Sequence, residues 1–306
     1  MEEKYELSIV ILTMNRRDQL IEAIDSCFAS KLPNKTEFVI VDNNSTDGTK
    51  DAVYAYFMQN EYFQYDLHYE YEETNLGVGG GRNRGFHLAQ GKYLYFLDDD
   101  AVISEECNKT FFVSAIAYFE KNASVASITT RIKDLAWQSD RIPCVSLNKR
   151  KIDGRDVIFR YAGGSHFLRK SVFEDPLYFQ IQYGNEEELP SILVQDHGFC
   201  HVYFDDIYIV HKPKVNKWTV GSDTNEKISQ QCIAVGYATR LIIYPCIFKP
   251  ILKLAYHRRR TLHLSSEDSK NKCDEIVMDL IKYNKHTKIG IRTVIKLYKE
   301  FGLTVF

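Results

Sequence analysis

The chain of 306 residues lacks an excess of charge of either sign. Its 39 Lys and Arg against 41 Asp and Glu leave a net charge of −2, so the protein as a whole is not built to bind nucleic acid. Paired cysteines are also missing, because the 7 cysteines include no C-x-x-C pair and their number is odd. Scattered thiols of this kind indicate a cytoplasmic protein rather than a disulfide-stabilised secreted one.

Long apolar runs are absent as well. No uncharged apolar segment approaches the roughly 20 residues that a membrane-spanning helix needs. The first apolar run begins at Leu7, which leaves no room for a signal peptide before it. We therefore expect a cytoplasmic protein without a membrane span.

One segment, 241–260, keeps two interpretations open. It is apolar but interrupted by prolines and lysines, and it ends in His257-Arg-Arg-Arg260. A basic, apolar helix of this kind can lie on the inner face of a membrane as a peripheral contact. It can equally pack on the rest of the protein and leave its basic end in solvent. A homodimer is a further arrangement that the sequence leaves open.

The two common glycine motifs for nucleotide binding are missing too. Gly77 and Gly79 are followed by Arg82 where a Rossmann fingerprint has its third glycine, and this segment does not follow the first predicted strand. No G-x-x-x-x-G-K-[ST] sequence occurs either. A nicotinamide-dependent enzyme is therefore disfavoured.

What the first hundred residues do contain is an alternation of apolar runs and amphipathic segments. Buried strands are predicted at Leu7–Leu12, Phe38–Val41 and Tyr93–Leu97, and an edge-like strand around Leu67 and Tyr69. Helical spacing appears in each interval between them. The alternating order predicts an α/β fold with a mainly parallel, twisted sheet wound by crossover helices.

The remainder is less regular. We predict a helix from Ser104 to about Lys121, a strand at Val125–Thr129, a loop over 131–156, strands at Val157–Arg169 and Val202–Val210, and a helix near 186–197. Residues 224–306 show helical periodicity without strand signals. The sequence thus predicts one α/β domain over 1–215 and a helical C-terminal appendage over 216–306.

The most distinctive polar feature is Asp98-Asp99-Asp100, directly after the fourth predicted strand. Ligands of α/β sheets bind outside the carboxyl ends of the strands, and residues two apart on an extended segment share a face. Two carboxylates ~4 Å apart repel each other by about 4 kcal/mol at a surface-like dielectric. Mn2+ or Mg2+, bound together with a diphosphate, relieves that repulsion. The alternative is an acidic turn that caps the next helix.

Other strand ends offer polar groups at the same edge of the sheet. Thr13, Asn15 and Arg16 follow the first strand, and Asp42 ends the second. Asp42 can accept hydrogen bonds from a base or ribose, and Arg16 can meet phosphate. Each residue alone is explained as well by turn or cap chemistry, so it is their coincidence at one edge that indicates a site.

A glycine-rich segment, Asn75–Arg84, opens a predicted helix. Glycines allow close approach of the backbone, and the start of a helix attracts anions. Arg82 and Arg84 add hydrogen-bond donors to this segment.

Four of these motifs occur in a fixed order: Ser8–Thr13, Val41–Thr49, Asn75 with Gly77, Arg82 and Asn83, and Leu97–Asp100. Together they resemble the large inverting glycosyltransferase family with the GT-A fold, sometimes called family two. A fainter likeness continues through Gly163-Gly164, Tyr183–Leu189 and Val210-His211. The resemblance implies a nucleotide-binding half at 1–100 and an acceptor half at 101–215.

The resemblance also implies roles for individual residues. Thr13, Asp42 and Arg82 would hold the nucleotide, with Asp98 and Asp99 beside it. Together with Asn15 and Arg16 after the first strand and Asn75 of the glycine-rich segment, they make up the expected nucleotide-sugar site. Asp100 is the principal ligand of a metal ion, with Asp98 beside it and His211 as a further ligand. A lone histidine at a strand end is more often structural, and only its place in the family pattern favours a ligand role.

The catalytic base is expected in the acidic segment, Glu186–Glu188. An inverting transfer needs one carboxylate to take the proton of the attacking hydroxyl. Aligning Leu189 with the leucine of the family's E-D-x-D-L pattern makes Glu186 the base. Asn185 stands where the family commonly has an acid, which leaves Glu187 as a competitor. A solvated first helical turn explains three glutamates equally simply.

On the acceptor side, the resemblance implicates Gly164 and His166, although a β-bulge also explains glycines there. Trp218 is a candidate for a loop aromatic that stacks on a sugar. The Q-x-x-R-W motif of processive synthases is absent, which favours a non-processive hexosyl- or deoxyhexosyltransferase. The expected partners are a nucleoside-diphosphate sugar and a glycan, lipid-linked or glycoprotein acceptor.

Two other functions compete with this interpretation. A sugar-phosphate nucleotidyltransferase would carry a glycine-rich basic loop directly after the first strand, where this chain has Thr13-Met-Asn-Arg-Arg17 without glycine. A non-catalytic sugar-binding protein would not need Asp98–Asp100, Glu186 and His211 together.

Overall fold

A computed structural model describes residues 4–59, 64–213 and 222–306. The strands of this part are β1 (Tyr5–Thr13), β2 (Thr36–Asp42), β3 (Asp66–Tyr71), β4 (Gly91–Asp98), β5 (Ala101–Ile103), β6 (Val125–Asp134), β7 (Ser139–Arg141), β8 (Lys151–Ile152), β9 (Arg155–Ile158), β10 (Ser165–Arg169) and β11 (Cys200–His211). They form a single sheet in the order β3-β2-β1-β4-β10-β6-β11-β9-β8, with β5 on β11 and β7 on β6.

The helices cover the faces of this sheet and form most of the C-terminal part. They are α1 (Arg17–Phe28), α2 (Thr49–Gln59), α3 (Gly77–Leu88), α4 (Phe111–Lys121), α5 (Glu188–Asp196), α6 (Ser222–Ile243), α7 (Lys249–His263), α8 (Glu267–Tyr283) and α9 (Ile291–Phe301). The predicted α/β fold with helices wound around a twisted sheet is confirmed.

The first half of the sheet is parallel, and its register places the strand ends side by side. β1 pairs with β2 so that Thr13 lies opposite Asp42, and with β4 so that Leu12 lies opposite Asp98. β3 is the edge strand, as Leu67 and Tyr69 predicted. Since all four strands run the same way, the polar residues at their carboxyl ends meet at one edge.

The glycines of α3 serve helix packing rather than an open phosphate loop. A Cβ on Gly81 would lie 2.4 Å from Leu12 Cδ1 of β1, and one on Gly79 only 2.1 Å from the backbone oxygen of Phe179. Real Cβ atoms do not approach other atoms this closely, so α3 contacts both the sheet and the 179–182 segment through its backbone.

The second half of the sheet mixes directions. β10 lies antiparallel between β4 and β6, whereas β6 and β11 are parallel to each other. Strand β6 runs to Asp134, five residues beyond the predicted end, and the helix expected at Ser104 begins only at Phe111. The reason is local: Ser104 accepts a hydrogen bond from the Glu106 backbone within a series of turns that precedes α4.

The loop predicted over 131–156 was wrong. This stretch contains the end of β6 together with β7, β8 and part of β9, which pair antiparallel with β6, with each other and with β11. The single long strand predicted at Val157–Arg169 is likewise divided, because β9 ends at Ile158 and β10 begins at Ser165. These short, polar strands show little apolar periodicity. Their strand conformation therefore depends on the strands with which they pair rather than on their own sequence.

The C-terminal helices pack on the sheet domain through shared core residues. One continuous cluster of buried apolar side chains includes Ile9 and Tyr95 of the sheet as well as Ala238, Val294 and Phe301 of the helices. The boundary predicted near residue 216 lies outside the described residues. None of the described helices is both long and apolar enough to cross a membrane.

Candidate active site

The aspartate triplet begins at the last residue of β4, at the edge where the parallel strands end. Asp98 accepts a hydrogen bond from Arg82 Nη2 at 2.8 Å, and its side chain is 29% exposed. Asp100 is buried and lies between two cationic side chains, with Oδ1 3.1 Å from His211 Nε2 and Oδ2 2.8 Å from Arg16 Nη1. These two contacts outweigh burial and lower the pKa of Asp100.

His211, the last residue of β11, faces Asp100. Its ring is fixed on the opposite side by Asp134, whose Oδ2 lies 3.0 Å from Nδ1. A carboxylate behind the second ring nitrogen is the usual way in which a metal-binding histidine is oriented. Burial lowers the pKa of His211, but hydrogen bonding to Asp100 prevails and the net shift is upward.

The three predicted metal ligands come together. One potential ligand atom from each of Asp98, Asp100 and His211 lies within 4.8 Å of the other two. Two carboxylate oxygens and one imidazole nitrogen are a donor set that suits Mn2+ or Mg2+ with a diphosphate. The residues present therefore fit a divalent ion at this edge of the sheet.

Arg82 connects this cluster to the acidic segment. Its buried guanidinium donates to Asp98 at 2.8 Å, to Glu186 Oε1 at 2.6 Å and to Glu187 Oε1 at 3.2 Å. It also donates to the backbone oxygen of Gly163 at 3.0 Å. One side chain of α3 thus connects Asp98, a candidate metal ligand, to both candidate bases.

The two candidate bases differ in environment. Burial and the neighbouring charge of Glu186 raise the pKa of Glu187 to about 7, although Arg82 acts against the shift. Glu186 is also buried, and its Oε2 has no hydrogen-bond partner among the described residues. Glu188 points elsewhere and pairs with Arg240 at 2.5 Å. The first two glutamates of the segment face the site and the third does not.

Asp99, the middle residue of the aspartate triplet, is hydrogen-bonded to the end of β1. Its carboxylate accepts hydrogen bonds from the Thr13 hydroxyl and from Arg16 Nη1, both at 2.8 Å. Burial raises its pKa to about 6, against the charge of Arg16. Arg16, expected to meet phosphate, therefore binds Asp99 and Asp100 here.

The other predicted nucleotide residues form a hydrogen-bonded rim at the ends of β1 and β2. Asp42 accepts from the Ser45 backbone at 2.7 Å and from the Tyr69 hydroxyl, which the sequence did not single out. Asn15, with a φ of 53°, accepts from the Thr46 backbone at 2.8 Å. Asn75 accepts from the Gly77 backbone at 2.8 Å. Each side chain stabilises a turn, so these polar groups serve the local fold as well as any ligand.

Arg84 does not join the site. It pairs with Glu70 and Glu72 at β3, where its side chain is 39% exposed. Two residues of a helix that are two positions apart point in different directions, which separates Arg84 from Arg82.

Of the three residues predicted on the acceptor side, only Gly164 is found beside the aspartates in the described part of the chain. Gly164 borders the aspartates, because its backbone oxygen accepts from Asp98 N at 3.1 Å and a Cβ there would lie 3.0 Å from Asp98 Oδ2. His166, in contrast, is fully buried and stacks on Phe96 with ring centroids 5.0 Å apart, so the structure corrects its placement on an acceptor surface. Burial lowers its pKa to about 3. Trp218 lies outside the described residues.

Besides Tyr69, three side chains beside the site were given no role by the sequence-based prediction. Arg141 donates to Asp134 at 2.7 Å and has Nη2 3.1 Å from His211 Nδ1. Tyr183 is 36% exposed and stands near Asp98 and Glu186, and the partial burial of its hydroxyl together with these charges raises its pKa. Asp134 and Arg141 fell in the stretch predicted to be a loop. Only the position of Tyr183 next to the acidic segment could have indicated its role.

Comparisons with known proteins bear on this arrangement. Residues 8–175 match the family described as Glycosyl transferase family 2. The chain is 25% identical over 213 residues to the GalNAc(5)-diNAcBac-PP-undecaprenol beta-1,3-glucosyltransferase of Campylobacter jejuni, covering 68% of this chain and 62% of that protein. It is 25% identical over 226 residues to the poly-beta-1,6-N-acetyl-D-glucosamine synthase of Staphylococcus epidermidis, covering 71% of this chain and 50% of that protein. The matches thus span only about half to three fifths of these relatives.

A solved structure shares the fold. The mannosyltransferase PcManGT from Pyrobaculum calidifontis, in complex with GDP-Man and Mn2+, aligns with a TM-score of 0.60 at 15% identity, covering 95% of this chain and 78% of that one. The family match covers more than half of the 306 residues and includes the strand ends that carry Thr13, Asp42 and Asp98–Asp100. This chain therefore belongs to glycosyl transferase family 2 and has the GT-A fold.

Proposed function

We propose that the protein transfers one sugar, with inversion at the anomeric carbon, from a nucleoside-diphosphate sugar to a hydroxyl group of a glycan, lipid-linked or glycoprotein acceptor. The observation that carries this proposal is the guanidinium of Arg82, which is hydrogen-bonded to Asp98 on one side and to Glu186 and Glu187 on the other. A candidate base therefore lies next to the candidate metal ligands, as an attack on a metal-bound donor requires.

The donor would occupy the edge formed by the ends of β1, β2 and β4. Asp42, Asn15 and Asn75 form the rim on the nucleoside side, and Asp98, Asp100 and His211 would hold the divalent ion. When bound, Mn2+ or Mg2+ would neutralise the negative charge of the departing diphosphate, in place of a general acid. Arg16 stays close enough to Asp100 to add positive charge at the same end.

Glu186 is the proposed base. It keeps one carboxylate oxygen without a hydrogen-bond partner among the described residues, and that oxygen can accept the proton of the acceptor hydroxyl. Arg82 stabilises the ionised carboxylate before the proton arrives. Glu187 also contacts Arg82, and its pKa, raised to about 7 by burial and by the charge of Glu186, suits a general base at neutral pH, so it remains the competitor for this role.

Two substitutions test this assignment. Asp100→Ala should abolish Mn2+ binding, measured by electron paramagnetic resonance, together with release of nucleoside diphosphate from a panel of nucleotide sugars. Glu186→Gln should keep donor binding in calorimetry and lose transfer by about 10²–10⁴-fold. Full activity of Glu186→Gln with loss in Glu187→Gln would move the base to Glu187. Metal-independent turnover by Asp100→Ala would refute the proposed metal site.

Transfer of a single sugar rests on the missing Q-x-x-R-W motif. Of the two relatives, one is described as a glucosyltransferase and the other as a polymer synthase. Mass spectrometry of the product distinguishes single transfer from polymerisation. One added sugar per acceptor supports our proposal, and a series of products with increasing numbers of sugars contradicts it.

Peripheral contact with an anionic membrane through 241–260 is part of the proposal. Ile247 and Leu254 are 70% and 71% exposed, and the exposed Lys249 and Lys253 stand beside them. Apolar side chains flanked by lysines fit a surface of anionic lipid. Leu254→Glu should reduce sedimentation with phosphatidylglycerol vesicles, whereas the control Leu303→Glu, exposed outside this segment, should not. Equal sedimentation of both variants would contradict membrane contact here.

A further inference from the structure

The connection between β6 and β7 presents an aromatic side chain whose backbone is held in place. Trp137 lies between the two strands and is 65% exposed. The carboxylate of Asp134 accepts hydrogen bonds from the backbone N–H of Ala136 at 2.9 Å and of Trp137 at 3.1 Å. The turn that carries the indole is thus fixed by the same aspartate that orients His211.

The indole ring itself is also held. The Arg141 guanidinium lies 5.0 Å from the centroid of the Trp137 ring, within the range of a cation–π contact. Two hydrogen bonds of 3.0 and 2.7 Å to Asp134 fix that guanidinium, whose Nη2 is 3.1 Å from His211 Nδ1. Arg141 therefore contacts both the ring and a proposed metal ligand.

Exposure of a single apolar side chain is ordinary, so exposure alone indicates nothing. What distinguishes Trp137 is that its backbone and its ring are both fixed while most of its surface remains open. A rigid aromatic loses little conformational freedom when a ligand stacks on it, and binding sites use such rings for that reason. Leu135 and Ile142, two and five residues away in the chain, are also exposed, at 51% and 82%.

The position of Trp137, on the connection between β6 and β7, indicates which substrate its ring would contact. The proposed donor edge is built by β1, β2 and β4, whereas β6 lies on the other side of β4, beyond β10. Trp137 therefore stands across the aspartates from the nucleoside rim formed by Asp42 and Asn15. A group that attacks the donor sugar has to approach from the side opposite the nucleotide.

We propose that Trp137 is the stacking platform for a sugar ring of the acceptor. The C–H face of a pyranose is apolar and packs on an indole, while its hydroxyl groups stay free at the ring edge for transfer. Arg141 is then a positioning residue, which holds the indole on one side and His211 on the other. The inference rests on the proposed transfer to a glycan, and it adds a subsite for the acceptor.

The test is a saturation-transfer NMR experiment on the full chain with Mg2+, nucleoside diphosphate and a panel of methyl glycosides. The panel contains glucose, galactose, N-acetylglucosamine and N-acetylgalactosamine. At least one glycoside should receive saturation from the wild-type protein. Its saturation-transfer signal should fall by most of its value with Trp137→Ala and only in part with Trp137→Phe. Tyr283→Ala removes an aromatic that is 72% exposed on α8 and serves as the matched control.

The outcomes separate this inference from the proposed function. Donor hydrolysis should be unchanged in Tyr283→Ala and absent in Asp100→Ala; hydrolysis that persists in Asp100→Ala would count against the metal-dependent mechanism and not against the platform. The platform is overturned if no glycoside receives saturation, or if Trp137→Ala and the wild type give the same signal. Loss of vesicle binding in Trp137→Ala, with glycoside contacts unchanged, would assign the ring to lipid and also overturn it.

Discussion

At the scale of single residues, Arg82 is the group on which the candidate site depends most. Its guanidinium is 6% exposed and serves three carboxylates and a backbone oxygen at once. Removing the charge from a buried ion pair costs about 3–5 kcal/mol, because the partner carboxylates stay buried without compensation. Arg82→Met should lose stability by about this amount in urea unfolding.

The matched control for Arg82 is Arg84, two positions along the same helix. Its pairs with Glu70 and Glu72 are partly exposed, and such pairs contribute about 0–1 kcal/mol. Arg84→Met should therefore unfold within about 1 kcal/mol of the wild type. Equal losses for the two variants would show that the buried network does not hold the site together.

Glu187 leads to a prediction about pH. The pKa of Glu187 is about 7 in the folded protein, against 4.5 for an unperturbed glutamate side chain. Between pH 4.5 and about 7, the folded state therefore holds a proton that the unfolded chain releases. The resulting stabilisation is complete below about pH 4.5 and is lost as the pH rises through about 7, by at most about 3 kcal/mol. Glu187→Gln should flatten this part of the curve of unfolding free energy against pH. An unchanged curve would contradict the raised pKa.

At the scale of elements, the close contact of α3 is the feature most sensitive to substitution. Gly79→Ala would bring a Cβ to 2.1 Å from a backbone oxygen, so either α3 or the 179–182 segment must move. Overpacking of this kind costs about 1–3 kcal/mol or more. Because both elements lead into the site, through Arg82 and through the acidic segment, donor affinity should fall along with stability.

The comparison variant for this prediction is Gly154→Ala. Gly154 has a φ of 86° but nothing within 4 Å of a new Cβ, so only backbone strain is added. Its cost should stay near 1 kcal/mol, and donor affinity should be unchanged because β8 and β9 lie away from the strand ends of the site. Calorimetry of donor binding distinguishes the two variants.

At the scale of the whole molecule, Arg240 links the C-terminal helices to the acidic segment. It pairs with Glu188 at 2.5 Å and donates to the backbone oxygens of Val305 and Thr304, each at 3.0 Å. Arg240→Met should destabilise the protein by about 3–5 kcal/mol, since Glu188 is left buried with only a contact of 3.4 Å to Arg160. A second substitution, Glu188→Gln, should recover part of the loss.

The same link predicts how the protein unfolds. Because one apolar core includes residues of the sheet and of α6–α9, denaturation followed by circular dichroism and by fluorescence should give coincident transitions. Arg258→Met, a change at an exposed arginine of α7, is the control for Arg240→Met. Two separate transitions in the wild type would show that the helical part folds by itself.

The sequence by itself determined the α/β class, the alternation of strands and helices in the first hundred residues and the polar residues at the strand ends. These features depend on local patterns: apolar runs identify strands, and parallel strands necessarily end at one edge. The convergence of Asp98, Asp100 and His211 was predicted through the family resemblance. The structure brings these residues within 4.8 Å of one another.

Only the tertiary structure decided the rest, because it depends on contacts between residues far apart in the chain. The strands within 131–156 exist through pairing with β6 and β11, and that pairing is what places Arg141 beside His211 and in contact with Trp137. His166 became a buried core residue because β10 inserts between β4 and β6. Likewise, the glycines of α3 are required by Leu12 and Phe179, which no local pattern connects to them.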